Sequence, residues 1–176
     1  MPKRVETKIP WSHVLCANHI VEHVAVSLKT IDYLFPLYLY LQKEKPIKKR
    51  SFTNFMLVFE PQAEYLSKKP NLNPELVEQL KKAFKKEPSP EEIFYYIYAV
   101  LYSETYRKKY AEFLKIDFPR VPFTSDYKLF KKMSEHGNRL VNLHLLKSQE
   151  LDKPVARFQG KGDNRVEKVW LSLRGK

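Results

Sequence analysis

The sequence predicts an α+β fold: a helical block over about residues 73–148, packed with strands from the N- and C-terminal segments. Three observations predict it. Residues 93–102 carry no charge, and a helix apolar all round is buried on every side. Further helical periodicities lie on either side of that run. Residues 11–41 and 154–173 are rich in β-branched and aromatic residues with short alternating stretches.

Taken in order, residues 11–28 predict one or two strands and residues 33–41 another. In FPLYLYL, Phe35, Leu37, Leu39 and Leu41 alternate with Pro36, Tyr38 and Tyr40, and Pro36 suits a strand start or an edge. Residues 43–50 hold five basic residues and one glutamate around Pro46. They predict a loop, either a solvated tip or a phosphate contact through Lys48, Lys49 and Arg50. Residues 52–59 are apolar and fit a strand or a short helix. Asn73 then caps a helix whose first residue is Pro74. Its acidic residues come early (Glu75, Glu78) and its lysines late (Lys81, Lys82, Lys85, Lys86), complementing the macrodipole. Leu76, Val77, Leu80, Ala83 and Phe84 mark its inner face, and Glu87-Pro88 ends it.

The central helix starts with a capping box, Ser89 against Glu92, with Pro90 at the first helical position. Ile93, Phe94, Ile97, Tyr98 and Leu101 are expected to be almost fully buried. Ser103 caps a second helix with Tyr106, Tyr110, Phe113 and Leu114 on one face and Arg107, Lys108 and Lys109 on the other. Residues 117–123 must be extended, because Pro119 and Pro122 disfavour the α region for the residues before them. A third helix begins near Asp126, with Phe130, Met133, Gly137, Leu140, Val141 and His144 inward. Residues 154–159, 160–164 and 165–173 predict strand, turn and strand.

The 176 residues fit one domain spanning 1–176, with 43% hydrophobic and 14% aromatic residues and only four glycines. No internal repeat is evident. The formal charge of +12 favours a polyanionic partner. Nucleic acid ranks ahead of a membrane surface, because the basic residues are interleaved with aromatics. The uncharged run is too short to span a membrane. Cys16 is the only cysteine, which excludes an internal disulfide and suits a cytoplasmic protein. The N-terminus lacks the apolar core of a signal peptide.

Few motifs point to catalysis. His19-Ile20-Val21-Glu22-His23 matches the inverted zincin pattern, whose two histidines must stand one helical turn apart to hold zinc. Its valine-rich context reads equally as strand. His13, Cys16, His19 and His23 are too spread along one segment to close a tetrahedron, and no second ligand pair is present. Phe158-Gln159-Gly160-Lys161-Gly162 mimics a methyltransferase cofactor loop, but β-type sequence follows it, so the glycines read as a hairpin turn. There is no phosphate-binding G-x-x-x-x-G-K-[ST] motif, no nucleophile elbow and no N-P-P-Y motif. No catalytic residue, metal or cofactor is expected. His144 reads as a hydrogen-bonded core histidine. Among the tyrosines, Tyr106, Tyr110 and Tyr127 have the basic neighbours a base-stacking platform needs.

The best functional signal is basic: Arg107, Lys108 and Lys109 near the start of the second helix, Arg120 in the proline-fixed segment, and Lys128, Lys131 and Lys132 in the first turns of the third. Lysine and arginine neutralise phosphates, and arginine also pairs with guanine in the major groove. Solvated helix faces are the alternative reading.

FYYIYAVLYSETYRKKYAEFLKIDFPRVPF followed by LFKKMSEHGNRLVNLHLLKS, with FPLYLY at 35–40 and KKPNLN at 68–73, resembles the C-terminal DNA-specificity domain of Type ISP restriction–modification enzymes. Those are single chains joining a nuclease, an ATP-driven translocase, an adenine methyltransferase and a target-recognition domain. The resemblance implies sequence-specific recognition of double-stranded DNA, without catalysis in this chain, as part of a larger enzyme or as a stand-alone piece. The competing reading is a scaffold module that docks on a methyltransferase or helicase partner.

Overall fold

The computed structural model describes residues 11–22, 25–26, 31–42 and 65–153. Over these the chain is mostly helical with a small two-stranded antiparallel sheet, an α+β arrangement. Two strands come first, β1 (Tyr38–Gln42) and β2 (Tyr65–Pro70). Five helices follow: α1 (Pro74–Phe84), α2 (Pro90–Tyr102), α3 (Glu104–Lys109), α4 (Ala111–Ile116) and α5 (Tyr127–His144). A 3-10 turn, Gln149–Asp152, comes after them.

The strands form a ribbon in which Tyr38 faces Pro70, Leu39 faces Lys69 and Tyr40 faces Lys68. Asn71 closes its base. The Asn71 backbone N–H donates to the Leu37 carbonyl at 2.9 Å, and its side-chain amide donates to the Pro36 carbonyl at 2.9 Å. The Tyr38 hydroxyl donates to the Glu91 carboxylate and so joins the ribbon to the first turn of α2. That bond pushes the Tyr38 phenol up to about 12 and holds Glu91 below the usual carboxylate range.

The expected strand at 33–41 is shorter than its alternating pattern: only its second half pairs, and Pro36 precedes the paired residues. β2 has no sequence signature, since Ser67, Lys68 and Lys69 are polar; pairing with β1 makes it a strand. No strand forms in the described part of 11–28. Trp11 and Val14 instead reach into the core from irregular backbone. The strand or short helix expected at 52–59 and the strands expected at 154–159 and 165–173 lie outside the described residues.

The helices follow their caps. Asn73 accepts from the Glu75 N–H at 2.9 Å, and α1 ends where Lys85 turns left-handed at φ 55°. Leu80 and Phe84 face inward, whereas Ala83 is exposed. The Ser89–Glu92 capping box is complete, with bonds of 3.1 and 2.9 Å. In α2, Ile93 is wholly buried, with Tyr96, Tyr98, Ala99, Val100 and Leu101 close to it. Phe94 and Ile97, expected to be as deep, are only partly buried. Both pack against the core cluster without being enclosed by it.

α5 crosses α2 at very close range. Phe130, Ser134, Gly137 and Val141 form its buried stripe, and the Ser134 hydroxyl donates to the Glu92 carbonyl at 2.9 Å. A Cβ built on Gly137 would lie 1.9 Å from the Tyr95 carbonyl oxygen. The glycine is therefore a condition of the packing. The predicted second helix breaks at Tyr110 into α3 and α4. The break turns Leu114 inward and leaves Phe113, expected inside, 69% exposed.

Two outcomes are expected. Gly137→Ala should cost about 3 kcal/mol in denaturant unfolding, the upper end for overpacking, because the obstructing atom is main chain. Tyr38→Phe should lower stability near neutral pH. A phenol whose folded pKa is raised stabilises below its unfolded pKa of roughly 10. The stability gap between wild type and variant should therefore close as pH rises towards the folded value of about 12. Denaturant midpoints measured across pH check this.

Candidate nucleic-acid interface

Residues 118–123 form neither helix nor strand between α4 and α5, and the core holds them by their main chain. The Tyr106 hydroxyl donates to the Arg120 carbonyl at 2.8 Å, and the Tyr96 hydroxyl donates to the Pro122 carbonyl at 3.0 Å. Burial raises both phenols above their ordinary range, so each hydroxyl stays a donor. The Tyr96 ring stacks on Phe123 and on Phe130, with centroids 5.2 and 5.0 Å away. The backbone of Arg120 is thus fixed while its side chain is exposed. No carboxylate among the described residues pairs with it.

The other cations divide into two groups. Lys108, Lys109, Lys128 and Lys132 are exposed. Lys108 reaches Glu104 at 2.7 Å, but both side chains are more than three-quarters exposed, so this pair is weak and readily exchanged. Lys128 and Lys132 stand one turn apart on the outer face of α5. Lys131 belongs to the fold: its ammonium binds Glu92 at 2.7 Å and ties α5 to the capping box of α2. Burial works against the Glu92 charge, but Lys131 and the Ser89 N–H outweigh it and hold the carboxyl below its usual range.

Arg107 also departs from the expected outward face. Its Nε donates to the Leu101 carbonyl at 2.6 Å, and its guanidinium lies 4.4 Å from the Tyr102 ring centre and 5.5 Å from that of Trp11. Its Nη2 is buried and has no hydrogen-bond partner among the described residues. The cation caps the C-terminal end of α2 and seats Trp11. Helical periodicity placed Arg107 with Lys108 and Lys109; the approach of the N-terminal segment, which periodicity does not encode, draws it inward. Lys48, Lys49 and Arg50 lie outside the described residues.

Tyr106 is buried and offers no stacking face; Tyr110 and Tyr127 are half-buried. Lys86, just past the end of α1, lies 5.9 Å from the Tyr127 ring centre and adds a cation there. At the far end of α2, the Tyr98 hydroxyl lies 2.6 Å from Nδ1 of His144. The Tyr102 hydroxyl donates to the Val14 carbonyl at 2.6 Å. Burial, with Tyr102 and Cys16 as neighbours, pushes the Tyr98 phenol up. His144 is bonded as expected, but it is exposed. This cluster joins the N-terminal segment to α2 and α5.

His19 and Glu22 are exposed on backbone that is not helical, and His23 lies outside the described residues. Among the described residues no three His, Cys, Asp or Glu side chains converge as metal ligands, and no helix is long and apolar enough to cross a membrane.

A family model described as the Type ISP C-terminal specificity domain matches residues 1–174. Neither a curated protein nor a solved structure matches the chain.

The geometry separates supporting cations from open ones. Arg107→Ala should destabilise the fold by about 1–3 kcal/mol through the lost hydrogen bond and cation–π contacts. It should leave the salt dependence of polyanion binding unaltered. Lys109→Ala should do the reverse. Denaturant unfolding and binding titrations at several salt concentrations read the two effects separately.

Proposed function

Because the chain belongs to the Type ISP C-terminal specificity domain family, a family of DNA target recognition in restriction–modification, we propose that it reads a short double-stranded DNA sequence and catalyses nothing itself. Its working partners are the duplex and the methyltransferase and translocase portion of a restriction–modification enzyme, in the cytoplasm.

Arg120 carries the reading to the level of residues. Two tyrosine hydroxyls and two prolines hold its main chain, so little entropy is lost when the exposed guanidinium docks. Arginine forms bidentate pairs with guanine O6 and N7. Lys108, Lys109, Lys128 and Lys132 supply phosphate contacts, with Lys48, Lys49 and Arg50 as further ones. Arg107 and Lys131 act through the fold, holding the elements that present the others. The net charge of +12 supports the same reading.

A second reading rests on α4, where Phe113 and Ile116 are exposed side chains on a short helix. They suit a scaffold contact with a methyltransferase or helicase partner. Phe113→Ser would then impair association with that partner and leave duplex affinity intact.

Affinity for duplex DNA should fall steeply with salt, by a log–log slope of about −0.9 for each neutralised phosphate. Lys128→Ala should weaken binding to all sequences alike and reduce that slope by about one. Arg120→Ala should relax discrimination at one base pair by roughly 1–3 kcal/mol. Titrations against random and selected duplexes measure both. Unchanged duplex affinity after charge reversal at Lys108, Lys109, Lys128 and Lys132 together would overturn the DNA reading in favour of the scaffold.

A further inference from the structure

We propose that the β1–β2 ribbon enters the major groove of the target duplex, with Leu39 and Lys69 contacting base edges; this rests on the DNA-recognition reading above. Leu39 and Lys69 are directly opposed across the ribbon and therefore project from the same face. Leu39 is 42% exposed and Lys69 is exposed. The other face is engaged at Tyr38, whose hydroxyl binds Glu91 and whose ring lies 3.6 Å beneath the Lys68 ammonium. The Asn71 bonds to Leu37 and Pro36 fix the base. The Leu39–Lys69 face is thus held on a braced platform.

The charge and dimensions fit a duplex groove. Neither strand contains an acidic residue, and the nearby Glu91 carboxylate is taken up by Tyr38. Paired strands lie about 4.8 Å apart, so a two-stranded ribbon with its side chains fits a major groove about 12 Å wide. The two side chains suit complementary readout. A lysine ammonium donates to guanine O6 and N7, and an apolar side chain packs on the thymine methyl group. An exposed leucine on a two-stranded sheet is otherwise a liability for edge pairing, whereas a groove would cover it.

The test uses the 176-residue chain to enrich duplexes from a random library. The enriched duplex is then rebuilt with 7-deazaguanine, which removes the major-groove N7 acceptor. Wild type should lose roughly 5- to 150-fold in affinity on the substituted duplex. Lys69→Ala should lose a similar factor on the unmodified duplex, and on the substituted one should lose only the part owed to the guanine read by Arg120, a smaller drop than the wild type shows. Leu39→Ala should relax the enriched consensus at a thymine. Both variants should retain the wild-type circular dichroism spectrum, because the replaced side chains are exposed. An enriched consensus that both variants share at wild-type affinity overturns the ribbon assignment and leaves the DNA reading standing. So does a consensus without guanine, or equal sensitivity of wild type and Lys69→Ala to 7-deazaguanine. If wild type enriches no consensus, the DNA-recognition reading fails and the ribbon assignment falls with it.

Discussion

The close crossing of α2 and α5 is the contact on which the rest depends. At Gly137 the two backbones approach so nearly that a Cβ would strike the Tyr95 carbonyl. One turn earlier, Ser134 is buried and bonded to the Glu92 carbonyl. Small residues three apart let one helix lie on the main chain of the other. The large side chains flanking them, Phe130 and Val141, then fill the core above and below. This approach also brings Lys131 to Glu92, so the packing and the capping box of α2 reinforce each other. Apolar burial, hydrogen bonding and charge pairing agree at one interface, as expected of a sequence that specifies one structure.

Tyrosine is the second organising device. A core rich in tyrosine would be costly if its hydroxyls were left without partners. Here they serve as anchors for irregular backbone. Tyr96 and Tyr106 hold the 118–123 segment through the Pro122 and Arg120 carbonyls, and Tyr102 holds the N-terminal segment through Val14. Tyr38 works in the opposite direction, joining the ribbon to a helix carboxylate. Segments with little regular structure thereby gain fixed positions, so side chains such as Arg120 and Lys69 can be presented without long elements of their own.

Positive charge has two uses in this chain. Arg107 and Lys131 are spent inside the fold, one under aromatic rings and the other on a carboxylate. Lys109, Arg120, Lys128 and Lys132 remain open. In the linear sequence each supporting cation adjoins open ones: Arg107 precedes Lys108 and Lys109, and Lys131 precedes Lys132. The proposed DNA reading draws on both kinds, because discrimination between bases requires side chains held in place while phosphates supply affinity.

Local signals alone determined the starts of α1, α2, α3 and α5. Asn73, Ser89, Ser103 and Asp126 each cap as their side chains dictate, and the segment holding Pro119 and Pro122 stays out of helix. These depend on interactions within a few residues, which sequence encodes directly. The inward stripe of α5 was largely legible too, apart from His144, which is exposed, and Ser134, whose polarity concealed a contact to the Glu92 carbonyl. Tertiary structure alone decided the rest. It made β2 from polar residues through pairing with β1, and it turned Phe113 outward by breaking a helix at Tyr110. It drew Arg107 away from its lysine neighbours because Trp11, distant in sequence, needed a seat. Each of these outcomes depends on partners brought together only when the chain folds, and local periodicity carries no information about who those partners are.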